Sequence, residues 1–172
     1  YTDSIVIKGV DSEDRLLDET ALFLHRIVGK MPQKKQKIIH DLHHTDNVFK
    51  GKKVMVVDDD MRNIFAVSQL LEEKGCIVIA AEDGKSALEL LKKEPKIDLV
   101  LMDIMMPVMD GYEATRNIRK QAEFKKLPII ALTAKAMKDD REKCIKAGAS
   151  DYLPKPLNEQ RLFSMLRIWL YK

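Results

Sequence analysis

The residues of this chain best suited to chemistry stand in four short stretches: Asp58, Asp59 and Asp60 in VVDDD, Asp103 in VLMDIMMPVMDG, Thr133 in IIALTA and Lys155 in YLPKP. Together they supply carboxylates, one hydroxyl and one ammonium, with no histidine or cysteine among them. Carboxylates brought close together repel and raise one another's pKa unless a cation neutralises them. Oxygen-only ligands point to a hard divalent ion, and Mg2+, which keeps several of its waters, fits best. Asp103 is the focus. An apolar run over residues 98–102 delivers its carboxylate into a loop that Pro107 and Gly111 bend back toward a helix. An aspartate in that place also suits a turn or a helix cap, so its role depends on what surrounds it.

Residues this far apart meet only if the elements between them bring them together. From residue 52 onward the pattern is regular: residues 54–57, 76–80, 98–102, 128–132 and 151–154 read as short buried strands. Helical patterns over 63–74, 86–93, 112–121, 138–147 and 158–170 alternate with them, and Gly75, Pro95 and Gly148 supply stops. Five strands alternating with five helices imply right-handed crossovers, a parallel sheet and a three-layer α/β sandwich. Such a sheet gathers the carboxyl ends of its strands on one edge, where open α/β folds bind ligands. The acidic run after the first strand, Asp103 after the third, Thr133 and Ala134 after the fourth, and Lys155 and Pro156 after the fifth thereby become neighbours.

Composition narrows the classes. At 172 residues and 45% apolar content the chain suits one domain with an appendage and a proper core. Lys and Arg number 30 against 27 Asp and Glu, a balance of +3, so no global basic field argues for nucleic acid. Cys76 and Cys144 are solitary, which suits a reducing, cytoplasmic compartment and offers no zinc spacing. No apolar run is long enough for a membrane span and no signal peptide is visible at Tyr1. The abrupt start reads as a fragment, whose parent protein is open to membrane anchoring upstream.

Four motifs in register carry a resemblance. Asp58-Asp59 after the first strand, DIMMPVMDG from Asp103, Thr133-Ala134 and Lys155-Pro156 make residues 52–172 resemble a response regulator receiver domain. The resemblance implies a flavodoxin-like, doubly wound sheet in the order 2-1-3-4-5. It implies that Asp103 is a phosphoacceptor forming an aspartyl phosphate. Asp59 and Asp103 would bind Mg2+ directly, Asp58 through water, and the backbone carbonyl of Met105 would fill a further position. Lys155 would pair with Asp103 and then with the phosphoryl group, and Thr133 would donate its hydroxyl to that group. Tyr152, three residues before Lys155, matches the family's switch aromatic, although plain packing accounts for it equally well. Asp60 reads as the cap of the following helix rather than as a ligand, and Met105, Met106 and Met109 as packing or loop-lining residues rather than soft-metal ligands.

The first 51 residues divide differently. A strand-like run at 4–7 and an amphipathic helix at 12–28 lack a domain of their own. Setting IVIKGVDSEDRLL against YLPKPLNEQRL places Lys8 opposite Lys155 and Gly9 opposite Pro156. Residues 1–30 therefore read as the last strand and helix of an upstream receiver-like domain, the competing reading being a signalling helix with accidental similarity. Such a remnant would dock on the receiver or pair two chains as a homodimer. Residues 31–51 read as a polar linker; His40, His43 and His44 lie in it without a ligand framework. The chain would then resemble the tail of a hybrid sensor histidine kinase, its partner a histidine kinase or histidine phosphotransfer domain, with no nucleic-acid or membrane contact of its own. Two rival classes are a haloacid-dehalogenase-type phosphatase, which needs a second aspartate where Met105 stands, and a pseudo-receiver, which would lack one of the charged or hydroxyl positions.

Overall fold

In the computed structural model, which describes residues 48–94, 96–134 and 138–170, strands and α-helices alternate. In chain order they are Lys53–Val57 (β1), Met61–Glu73 (α1), Ile77–Ala81 (β2), Gly84–Lys93 (α2), Leu99–Asp103 (β3), Gly111–Lys120 (α3), Ile129–Thr133 (β4), Lys138–Ala147 (α4), Asp151–Pro154 (β5) and Glu159–Leu170 (α5). The sheet has five strands in the order β2-β1-β3-β4-β5, all paired in parallel, as the resemblance implied.

Period-two alternation along the strands builds two cores. Val54 and Val56 of β1 face α1 and α5 together with Leu99, Leu101, Ile130 and Leu132. Met55 and Val57 face the other way, with Val100 and Met102, onto Ala87 and Leu91 of α2 and Ala114 and Ile118 of α3. A smaller cluster of Ile104, Ala131, Cys144 and Ala149 seats α4 on that second face. All five residues of β3 and of β4 are buried, which is what strands covered on both faces require.

Most boundaries lie within two residues of those expected, and the differences have identifiable causes. Asp60 caps α1 by accepting from the Arg62 amide at 2.9 Å, so the helix begins at Met61 and not at residue 63. Asp83 and Ser86 form a capping box, which places Ser86 inside the first turn of α2 and not at its start. Asp98, expected to open β3, instead accepts the Lys53 amide through its side chain at 2.9 Å. A short 3-10 turn, Ala122–Phe124, was not anticipated.

One correction concerns the linker. Phe49, assigned to it on polarity of its surroundings, is fully buried, with its ring centroid 5.3 Å from that of Phe163. Gly51 donates to the Gly75 carbonyl at 2.8 Å, so residues 48–51 belong to the receiver fold. A single aromatic among lysines leaves little trace in composition, yet its burial contributes about 2 kcal/mol. The readings of residues 1–47, including the upstream remnant, its dimer and the three histidines, lie outside the described residues. Among the described residues, no helix is long and apolar enough to cross a membrane.

Candidate functional site

The carboxyl edge of the sheet collects the residues singled out by type. Carboxylate oxygens of Asp58, Asp59 and Asp103 lie within 4.8 Å of one another. Asp58 and Asp103 are almost wholly buried, whereas Asp59 is exposed. Lys155 reaches in from the end of β5, its Nζ 2.6 Å from Asp58 Oδ2 and 3.0 Å from Asp103 Oδ2. Its amide also donates to the Thr133 carbonyl at 2.7 Å, so the ends of β4 and β5 are tied at the site. Thr133 is buried at that edge.

Each buried carboxylate has its own partners. Asp58 accepts from the Asp60 amide at 2.9 Å and from Asn63 Nδ2 at 3.0 and 3.2 Å, besides Lys155. Asp103 accepts from the Met105 amide at 3.3 Å, with Lys155 on its other oxygen. Met105 itself is largely exposed and contributes that backbone N–H.

Electrostatics follow from burial and crowding. Desolvation raises the Asp103 pKa, opposed by the Lys155 hydrogen bond and charge and by the Met105 amide, while the Asp58 charge adds to the rise. Burial alone would lower Lys155, but hydrogen bonds and charge from Asp58 and Asp103 outweigh it and hold the ammonium above its ordinary value. Asp60 stands apart: hydrogen bonds from the Arg62 side chain and amide bring its carboxyl down to about 2. The pair is bidentate, with Arg62 Nη2 2.6 Å from Asp60 Oδ2. Asp60 is thus a cap, as its position suggested, and three carboxylates, not four, share the site.

These residues fit a hard divalent ion. The donors are all oxygen, they are close enough to share one ion, and a single ammonium leaves the cluster short of positive charge. A buried carboxylate flanked by cations is also a competent nucleophile toward phosphorus.

Asn63 was missed on sequence. The available signal was a carboxamide three residues beyond the α1 cap, on the turn that faces the end of β1. Tyr152 sits on β5 in register with Ala131, half-buried against the cluster that seats α4.

Comparison with known proteins agrees with this geometry. The sensor protein GacS of Pseudomonas syringae pv. syringae is 42% identical over 123 residues, which is 70% of this chain but 14% of that protein. BarA, a signal transduction histidine-protein kinase of Escherichia coli K12, is 42% identical over 122 residues, 71% of this chain and 13% of the kinase. The chain therefore spans about one seventh of the length of these relatives. Among solved structures, the receiver domain of sensor histidine kinase PA1611 from Pseudomonas aeruginosa PAO1, which has a magnesium ion in its active-site cleft, matches with TM-score 0.66. It is 38% identical, and the match covers 71% of this chain and 99% of that one. Chemotaxis protein CheY4 of Vibrio cholerae matches with TM-score 0.66 at 33% identity, over 69% of this chain and 98% of that one. The family model for the response regulator receiver domain matches residues 54–167, beginning inside β1 and ending inside α5, so it takes in the sheet apart from Lys53 and every residue of the acidic edge: the chain belongs to that family.

Proposed function

We propose that this receiver accepts a phosphoryl group from a phosphohistidine onto Asp103 and thereby switches a protein-interaction surface. The observation that carries the reading is Lys155 held between Asp58 and Asp103 beside a third carboxylate at one sheet edge. One Asp103 oxygen forms a bond to phosphorus in line as the phosphorus–nitrogen bond breaks, and the imidazole leaves with the electron pair. Lys155 then follows the charge from the carboxylate to a phosphoryl oxygen, and the Thr133 hydroxyl donates to another. Asp59 and Asp103 would hold Mg2+ directly, with the Met105 carbonyl as a further ligand. Asp58, already occupied by Asn63, the Asp60 amide and Lys155, suits a role through water. When bound, the ion neutralises charge on the phosphoryl oxygens. The responding surface is that around Thr133, Tyr152 and α4.

In this reading the donor is a histidine kinase or a histidine phosphotransfer domain, and the chain is the receiver portion of a hybrid sensor histidine kinase. Relatives of that kind support both statements. The chain is a phosphoacceptor that promotes its own phosphorylation rather than an enzyme acting on a free substrate. Incubation with acetyl phosphate and Mg2+, followed by intact mass, tests it. The expected result is a mass gain of one phosphoryl group, absent without Mg2+ and in Asp103→Asn. Continuous release of phosphate without an adduct would favour a hydrolase and overturn the reading.

A further inference from the structure

Helix α3 is fastened at both ends, and its far end grips the element that follows Thr133. At its start the Gly111 amide donates to the Ile104 carbonyl at 3.1 Å, so close to the acceptor that a Cβ at Gly111 would fall 2.1 Å from the Asp103 carbonyl oxygen. At its other end Arg119 donates from Nε to the Gly148 carbonyl at 2.7 Å and from Nη1 to the Phe124 carbonyl at 2.7 Å. Its Nη2 lies 3.3 Å from Ser150 Oγ, which also accepts the Ile129 amide at 3.1 Å. One guanidinium therefore joins α3, the 3-10 turn, the α4–β5 turn and, through Ser150, the start of β4.

The turn is shaped around that side chain. Gly148 has φ of +105°, and a Cβ there would sit 2.7 Å from Arg119 Cγ. The planar fork presents its donors in fixed directions that a lysine ammonium cannot reproduce. By contrast, the attachment of α4 itself is uneven. Over residues 140–147 only Cys144 and Ala147 are buried, both in its C-terminal half, while residues 141–143 are exposed as a run and residues 145–146 are exposed between the two buried positions. A segment with few buried apolar contacts opens at low free-energy cost.

Resting on the functional reading above, we propose that Arg119 is a positioning residue that makes the Gly148 end of α4 a fulcrum. Events at Thr133 then tilt the helix about that end and do not slide it along β5. The lever is about 15 Å long at 1.5 Å per residue, and α3 supplies a rigid strut from the acceptor backbone to the pivot.

Amide hydrogen exchange of the full chain, read by mass spectrometry with and without acetyl phosphate and Mg2+, tests the proposal. In the native chain, phosphorylation is expected to change exchange over residues 138–143 while leaving 145–150 within about twofold. In Arg119→Lys, amides of residues 148–150 are expected to exchange about tenfold faster even without the phosphodonor, and the phosphorylation-dependent change spreads to 145–150. Ser150→Ala, a milder loss of one acceptor, is expected to give an intermediate increase. Equal changes at both ends of α4 in the native chain, or unchanged exchange over 148–150 in both variants, would overturn it. Absence of any phosphoryl adduct sinks the functional reading instead, and the untreated variants still decide whether Arg119 holds the turn.

Discussion

Burial raises the pKa of Asp103, while Lys155 and the Met105 amide pull it back. A carboxyl whose folded pKa lies above its unfolded one contributes stability that is fully present below the unfolded value and lost as pH rises through the folded value. Once ionised, Asp103 is therefore a cost to the fold that Lys155 offsets in part. Asp103→Asn is expected to be more stable than the native chain at neutral pH by about 1 kcal/mol, a few degrees in thermal midpoint. The difference should shrink to nothing in acid, where the native carboxyl is already neutral. Melting curves across that range check it, and an asparagine variant less stable at neutral pH contradicts it. A second cost lies close by. Val108, 95% exposed, has φ of +67° and is spanned by the Met109 amide donating to the Pro107 carbonyl at 2.8 Å. A β-branched residue there is strained without gaining any burial. Val108→Gly should stabilise the fold by about 1 kcal/mol, measured by urea unfolding; a loss of stability would show that the strain is absent.

Between elements, the closest dependency is α3 on the acceptor loop. Asp110 caps α3 by accepting the Glu113 amide at 2.7 Å, and Gly111 lets the helix start directly against β3. In Gly111→Ala the new methyl would meet backbone, 2.1 Å from the Asp103 carbonyl oxygen and 2.8 Å from Ile104 Cα, so the strand end or the helix must move. The expected loss is about 2 kcal/mol or more, with a lower yield of phosphoryl adduct; denaturation and intact mass report the two separately, and an unaffected variant would refute the close approach. Such dependencies explain which parts of the elements were legible. The alternation of apolar runs with helical stripes was visible because each core face has its own period, and Asp60 and Gly148 were readable as a cap and a stop from type alone. The start of α2 was not, because Ser86 looks like a cap in sequence and becomes the third residue of the helix only once Asp83 is seen to close the box. Phe49 was hidden for a related reason: its partner Phe163 comes more than a hundred residues later.

Along the sheet as a body, the carboxyl edge gathers three carboxylates around one ammonium. A ligand that binds only the folded chain adds RT ln(1 + [L]/Kd), about 2.7 kcal/mol at a hundredfold excess over Kd. Mg2+ is expected to raise the thermal midpoint of the native chain in this concentration-dependent way and to do so weakly in Asp59→Asn. A shift of equal size in both would show that the ion acts elsewhere. The family, the α/β class, the strand order through resemblance, and the identities of Asp58, Asp59, Asp103, Thr133 and Lys155 could all be read from residue type and spacing, because each is written within one short segment. Folding alone settled which oxygens meet. Lys155, 97 positions along the chain from Asp58, bridges two carboxylates, Asn63 fills the other side of the Asp58 carboxylate, and Arg119 grips a turn 29 residues away. Those contacts depend on strand register and on the direction each side chain leaves its element, quantities set by packing across the sheet and carried by no local pattern.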